Sequence, residues 1–229
     1  MVGETKHTLG TFEHALENLR HNVMTMASQT QRSLERALKG LMDRNDELCA
    51  LAIADDEGID ELEKQIDKDG IDLLLRFQPV ASDLRRVVSA MKLSSNLERI
   101  ADQATNIARA ARKLNKHPTL PEVLLIEPMR EHAMAMFRDS VDAYVREDDK
   151  AARAIVPRDD VLDEMNRQIG RKLTEQMAKD PDQLRGYLNL MFIARHLERV
   201  GDHATNIAED AVYAVAAEDI RHQSVAVTS

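Results

Sequence analysis

Two stretches of the sequence, one hundred residues apart, decide the fold: NLERIADQATNIA at residues 96–108 and HLERVGDHATNIA at residues 196–208. Nine of their thirteen positions are identical. In both stretches the apolar residues recur at steps of three and four, which is the period of an amphipathic helix. We therefore interpret the chain as an internal repeat in which one long helix occurs twice.

The repeat extends upstream of these two stretches. With an offset of 103, IDEL at residues 59–62 lies on LDEM at residues 162–165. The change of offset places a three-residue length difference in a loop, which is where a repeat tolerates one. Pro118, Pro121 and Pro128 interrupt the helical pattern between the two copies. The sequence therefore predicts two domains, at residues 1–116 and 117–229.

The apolar period also predicts the other helices of each unit. In the first unit they cover residues 12–41 and 48–77, followed by the third helix at about residues 80–115. Short polar turns between long amphipathic helices indicate antiparallel neighbours. The predicted fold is all-α: two tandem three-helix bundles, with six long antiparallel helices, related by internal repeat. Pro157 lies within the fifth helix and is expected to kink it.

The composition supports helices and excludes several classes of protein. Only 3% of the residues are aromatic, whereas strands are enriched in aromatic and β-branched residues. No GxGxxG or GxxxxGK[ST] motif occurs, which argues against a Rossmann or P-loop enzyme. The net charge of −9 and the scarcity of aromatic residues argue against nucleic-acid binding.

The sequence also predicts where the protein works. Its longest apolar runs fall far short of the roughly 20 residues that span a bilayer. The first ten residues contain no apolar core of a secretory signal. A single cysteine, Cys49, fits a reducing compartment. We expect a cytoplasmic protein that does not insert into the membrane.

The third helix of each unit carries acidic and amide side chains at steps of four residues. Such steps advance only about 40° around a helix, so these oxygens form one stripe beside the core face. Like charges at this spacing destabilise a helix by about 0.2–0.5 kcal/mol, and this unfavourable spacing occurs in both units. The residues are Glu98, Asp102 and Asn106 in the first unit and Glu198, Asp202 and Asn206 in the second.

A second acidic pair lies on the second helix of each unit, Asp56 with Asp60 and Asp159 with Asp163. Asp56 and Asp159 occupy core-facing positions, where a carboxylate is costly unless it is paired or coordinated. Two acidic pairs on neighbouring helices predict an all-oxygen cation site in each unit. Such ligands suit Mg²⁺, Mn²⁺, Ca²⁺ or iron better than zinc or copper.

The residues alone leave other interpretations open. Acidic stripes commonly pair with nearby arginines, and four are available: Arg85, Arg99, Arg185 and Arg199. The Leu-Arg pairs at residues 84–85 and 184–185 could instead bind an anion near the start of each third helix. Carboxylate-rich bundles also include metal-storage and di-metal redox proteins, although the acidic stripes here contain no Glu-x-x-His of that class. No nucleophile elbow or catalytic triad is present, so we expect no enzyme.

Three features of the chain together resemble the PhoU family, the phosphate-specific transport system accessory proteins. They are the repeated LERxxDxxTNIA segments, the turn QPVASDLR at residues 78–85, and the tail that begins with AVY at residues 211–213. The resemblance covers nearly the whole chain. It implies two tandem three-helix bundles, often dimeric, and hence a homodimer here.

The resemblance also implies a function and a ligand. PhoU proteins bind metal clusters through E(D)xxxD motifs, which implies divalent or trivalent iron, manganese or magnesium on the acidic pairs described above. They act as negative regulators of the phosphate-starvation response, linking the ATPase subunit of the phosphate transporter to a membrane sensor histidine kinase. Ala101 stands where the family usually has Gly, as Gly201 does in the second unit, so we expect less close helix packing at Ala101, and the two metal sites need not be equivalent.

Overall fold

The computed structural model describes residues 2–221, and the surroundings of their side chains from residue 10 onward. Every regular element within these bounds is helical. The α-helices are α1 (Val2–Met42), α2 (Asp46–Phe77), α3 (Ala81–Leu114), α4 (Glu127–Val145), α5 (Asp149–Arg153), α6 (Asp159–Lys179) and α7 (Leu184–Ala216). Three short 3₁₀ segments lie at Pro121–Ile126, Val156–Arg158 and Pro181–Gln183. The predicted all-α fold is confirmed.

The first bundle consists of α1, α2 and α3, with a tight turn at each junction. Arg44 adopts a left-handed φ of 52° after α1, and the Asn45 side chain then accepts hydrogen bonds from two backbone amides of α2. Gln78, with a φ of 46°, ends α2 immediately before Pro79. The predicted helices agree with this architecture, except that α1 begins earlier, at Val2.

The second bundle consists of α4, α6 and α7, with the short α5 before α6. Asp148 caps α5 in the way that Asn45 caps α2, since its side chain accepts a hydrogen bond from the amide of Ala151. The chain then passes through a 3₁₀ segment that contains Pro157. The predicted kink is therefore a complete break, because proline cannot supply the hydrogen bond that a continuous helix needs. As a result Asp159 is the first residue of α6, whereas its counterpart Asp56 lies inside α2.

The two bundles pack against each other mainly through α3 and α7, the most extensive contact between any two helices described. Asn96 Oδ1 lies 3.1 Å from His203 Nδ1, and Gln103 Oε1 lies 2.8 Å from His196 Nδ1. Residues 96 and 103 are the repeat counterparts of residues 196 and 203. The seam between α3 and α7 is therefore antiparallel and approximately two-fold symmetric. The boundary between residues 116 and 117 stays a prediction.

Candidate metal centres

In each bundle a group of carboxylates lies between the third helix and the helix before it. The structure places the predicted residues of the first bundle on α2 (Asp56, Asp60) and α3 (Glu98, Asp102), and those of the second on α6 (Asp159, Asp163) and α7 (Glu198, Asp202). Burial and mutual repulsion raise the pKa of members of both groups. The two groups differ in how their oxygens are satisfied.

Glu98 of the first group has a buried oxygen that lacks a hydrogen bond. Its side chain is only 16% exposed, and its Oε2 is buried without a hydrogen bond. Arg99 Nε lies 3.3 Å from that oxygen, and Arg99 Nη1 lies 3.5 Å from Asp102 Oδ2. Burial, followed by the charge of Asp102, raises the pKa of Glu98 to about 7. Near neutral pH this carboxyl is therefore close to half protonated.

Asp56 in the same group has a hydrogen-bond donor. Thr105 Oγ1, on α3, donates to Asp56 Oδ1 at 3.2 Å. Burial raises the pKa of Asp56, while the hydrogen bond from Thr105 opposes that rise because it favours the charged form. This contact fixes the position of α2 against α3 beside the acidic group.

Sequence reasoning missed Glu63, which belongs to the first group. Burial raises its pKa, and the charges of Asp67, Asp60 and Asp102 raise it further. Residues 56, 60 and 63 are spaced i, i+4 and i+7, which places them on one face of α2, and that spacing was the available signal. Comparison of the two repeats does not reveal Glu63 as a member, because its counterpart in the second bundle is Asn166.

In the second bundle three of the predicted residues come together. Asp163, Glu198 and Asp202 each offer one oxygen, and these oxygens lie within 4.8 Å of one another. In the described part of the chain no other group of three such ligands is as close. The predicted acids of the first bundle are thus brought to one region but not into so tight a group.

Glu198 is well supplied with hydrogen-bond donors. Arg195 Nη1 donates to Glu198 Oε1 at 2.6 Å and also contacts Oε2, to which Asn166 Nδ2 donates at 2.9 Å. Burial raises the pKa of Glu198, and Arg195 opposes that rise. The ion-pair partner of Glu198 is thus Arg195, not the predicted Arg199, and the counterpart of Arg195 in the first bundle is Ser95.

Asp159 is the unsatisfied acid of the second group. Its Oδ1 is buried and accepts no hydrogen bond from the described residues. Thr205 Oγ1, the counterpart of the Thr105 hydroxyl, is likewise buried without a partner there. Burial, and then the charges of Asp202 and Asp163, raise the pKa of Asp159 to about 7. The hydrogen bond that satisfies Asp56 is therefore not formed at the equivalent place.

Both halves of the repeat match one known protein family. A family model described as the PhoU domain matches residues 23–111 and again residues 126–211. The chain belongs to the PhoU family. Each match covers most of one bundle, and both matches include the acidic positions of the third helix.

Individual members of the PhoU family are similar over nearly the full length. The phosphate-specific transport system accessory protein PhoU homolog of Zymomonas mobilis is 36% identical over 93% of this chain and 90% of its own. The accessory protein PhoU of Escherichia coli K12 is 33% identical over 95% of this chain and 90% of its own. The crystal structure of PhoU from Pseudomonas aeruginosa covers 90% of this chain and 100% of its own, with 31% identity and a TM-score of 0.88.

Gly201 sets the spacing of the second PhoU repeat at its acidic group. A Cβ atom at this position would lie 2.3 Å from Leu162 Cδ2 and 3.2 Å from Asp159 Oδ1. The missing side chain thus allows α6 to approach α7 closely. The first PhoU repeat has Ala101 here, with Ile59 as the counterpart of Leu162.

The two histidines beside the acidic stripe of α7 do not join the acidic group, as the helical spacing predicts. His196 and His203 are engaged with Gln103 and Asn96 across the seam between α3 and α7. Burial lowers the pKa of both imidazoles. The available ligands are therefore carboxylate oxygens. Buried carboxylates with unpartnered oxygens and raised pKa values are groups that a cation would stabilise.

Proposed function

We propose that this PhoU-family chain is a cytoplasmic, non-enzymatic regulator that keeps the phosphate-starvation response switched off when phosphate is plentiful. The support is the double match to the PhoU domain and the relatives named phosphate-specific transport system accessory proteins. The structurally similar protein from Streptococcus pneumoniae, 26% identical, is described as a phosphate transport system regulatory protein. No helix in the described part of the chain is both long and apolar enough to cross a membrane.

The proposed partners are the ATPase subunit of the phosphate transporter and a membrane sensor histidine kinase, together with a second copy of the chain as a homodimer. One surface supports contact with another protein. Leu184, Leu188 and Phe192 follow one another at steps of four on α7 and are 44%, 40% and 57% exposed. An apolar row of this kind on a helix is typical of an interaction surface.

The proposed ligands of the acidic groups are divalent or trivalent metal ions, namely iron, manganese or magnesium. Glu98 and Asp102 with Asp56 and Asp60 would hold metal in the first bundle, and Glu63 extends that set. Glu198 and Asp202 with Asp159 and Asp163 would hold it in the second. The single observation that carries this assignment is the buried oxygen in each group that lacks a hydrogen bond, on Glu98 and on Asp159. A bound cation supplies positive charge that offsets the mutual repulsion of the carboxylates.

Deletion of the gene tests the regulatory role. We expect phosphate-starvation genes to be expressed in phosphate-rich medium in the deletion strain, and to be silenced again when the wild-type gene is returned on a plasmid. If those genes stay silent in the deletion strain, the proposed role is wrong. A pull-down with the tagged full-length chain, probed for the transporter ATPase and the kinase, tests the partners separately.

Metal content separates the regulator from a metal-storage or di-metal redox protein. The full-length chain is purified without chelator, its metal content is measured, and its reaction with oxygen is followed. A regulator is expected to keep its metal without consuming oxygen. Bound iron that turns over with oxygen would favour the storage or redox alternative.

A further inference from the structure

A cavity of about 120 Å³ lies where α3 begins, upstream of the acidic stripe of that helix. It is bordered by α1, the first turn of α3, the turn after α4 and the last turn of α7. Its volume is several times what a single water molecule requires. The lining residues are Arg20, Ser82, Arg85, Arg86, Tyr144, Glu147, Ala214 and Val215.

The lining carries an excess of positive charge, although the whole chain has a net charge of −9. It contains three guanidinium groups and one carboxylate. Arg86 Nη2 lies 3.4 Å from Glu147 Oε2, and Arg20 Nη1 lies 3.8 Å from Glu147 Oε1. Arg85 Nε donates to the carbonyl oxygen of Ala214 at 3.4 Å. Arg86 Nη1 also lies 3.6 Å from Asp83 Oδ1, just outside the lining. These contacts are long, and three guanidinium groups have many more N–H donors than two carboxylates can satisfy.

Two further groups with donors lie beside the same cavity. Helix α3 begins at Ala81, and no side chain caps its N-terminus. A long helix concentrates positive partial charge at that end. Tyr144 also lines the cavity. Burial raises its pKa, so it remains a donor at neutral pH.

The two-fold relation between α3 and α7 allows the cavity to be compared with the corresponding place at the start of α7. Side chains pack together at that place. Gly186 stands there in place of Arg86, and a Cβ on it would lie 2.6 Å from Leu120 Cδ1. Arg44 stands in place of Glu147, and it donates to the carbonyl oxygens of Asn115 and His117 at 2.7 and 2.6 Å. Arg44 and Glu147 even share a left-handed backbone, with φ of 52° and 53°. Leu120 and Arg44 thus pack at the place that corresponds to the arginine-lined cavity.

We propose that this cavity is a binding site for inorganic phosphate in its singly protonated form. The planar donors of Arg20, Arg85 and Arg86 match the oxygens of a tetrahedral dianion. Glu147 serves as the acceptor for the hydroxyl that the phosphate retains. Sulfate carries no proton at neutral pH, so its oxygens would meet the Glu147 carboxylate without a hydrogen bond between them. The site rests on this geometry, and the choice of phosphate among dianions rests on the proposed function.

Isothermal titration of the full-length chain with inorganic phosphate, in a chloride buffer of low ionic strength, tests the site. Arg86→Gln is expected to weaken phosphate binding roughly tenfold or more, since it removes a charge-assisted contact. Arg76→Gln is the matched control, because Arg76 is exposed and paired with Asp72 on α2 at 3.2 Å. It should leave the affinity within about twofold. No binding by the wild type, or equal losses in the two variants, would overturn the proposal.

Two further variants test the individual roles. Tyr144→Phe removes only the hydroxyl and should weaken phosphate binding about fivefold, with an unchanged circular dichroism spectrum. The wild type should prefer phosphate over sulfate by about tenfold, and Glu147→Gln should bring that ratio close to one. A ratio that Glu147→Gln leaves unchanged contradicts the role of Glu147. Failure of these titrations would leave the gene-deletion result standing, so the two proposals fail separately.

Discussion

In the first bundle the buried carboxylate oxygen without a hydrogen bond belongs to Glu98 on α3, whereas in the second it belongs to Asp159 on α6. Their repeat counterparts are both hydrogen-bonded. Asp56 accepts a hydrogen bond from Thr105, while Glu198 is held by Arg195 and Asn166. The same repeated scaffold therefore leaves one buried oxygen without a hydrogen bond in each half, at different places.

A few substitutions account for the difference between the bundles. Glu63 and Ser95 in the first correspond to Asn166 and Arg195 in the second, so the second group has one acid fewer and one cation more. Pro157 ends the helical continuity before Asp159 and moves that residue to a helix start. The first group therefore depends more on an external cation to offset its charge. Substitutions in each bundle should reveal this difference between the two acidic groups.

The largest effect is expected from removing charge at one bundle at a time. Glu98→Gln with Asp102→Asn should lower metal affinity in the first bundle by about 100-fold, because two carboxylate ligands are lost while the shape is kept. Glu198→Gln with Asp202→Asn is the reciprocal variant. Metal content per chain, measured after dialysis, should fall by part of its total in each variant and completely in the combination. Full retention of metal in both variants would contradict the assignment.

Gly201→Ala tests the close approach of the helices in the second bundle. The added methyl group overlaps Leu162, which costs about 2 kcal/mol, while helix propensity returns about 1 kcal/mol, so we expect the free energy of unfolding to fall by about 1 kcal/mol. The reciprocal change, Ala101→Gly, should lower it by about 2 kcal/mol, because it loses helix propensity and a buried methyl group. Urea denaturation of the metal-free protein measures both. A gain in stability in Gly201→Ala would show that the two bundles are packed alike at this position.

The pH dependence of the metal-free protein follows from Glu98. Its pKa is 4.5 in an ordinary setting and about 7 in the folded protein, so between these values the folded state binds more protons than the unfolded state. Glu98 alone should therefore lower the stability by about 2–3 kcal/mol as the pH rises from 5 to 8. Glu98→Gln should flatten this slope in thermal melts, while Asp159, raised in the same direction, accounts for what remains. A wild type that gains stability over this range would contradict the raised pKa.

The smallest effect should distinguish the two threonines. Thr105→Val removes the donor to Asp56 and should lower the free energy of unfolding by about 1 kcal/mol. Thr205→Val removes a buried hydroxyl that has no partner among the described residues, so it should be neutral or slightly stabilising. Chemical denaturation in the presence of a chelator compares them. The distinction fails if the second substitution is as costly as the first.

The helices and the repeat could be predicted because both depend on local patterns. The period of apolar residues and the prolines near residues 118–128 are visible in the sequence itself. The inclusion of Glu63 and Arg195 in the acidic groups was missed, since it depends on how two helices are rotated against each other. The lack of a hydrogen bond between Thr205 and Asp159 was not predicted either. It depends on how the two helices face each other after the break at Pro157. The acidic stripes themselves were found because each one is confined to a single helix.

The seam between α3 and α7 has a consequence for the origin of the chain. Asn96 contacts His203 and Gln103 contacts His196, so each half presents the same surface to the other in an isologous contact. A chain with only one such repeat has a self-complementary surface for binding a second copy of itself. This is the arrangement expected where duplication and fusion of a gene turned a symmetric dimer into a single polypeptide. After fusion the halves no longer had to be identical, and their acidic groups were free to diverge.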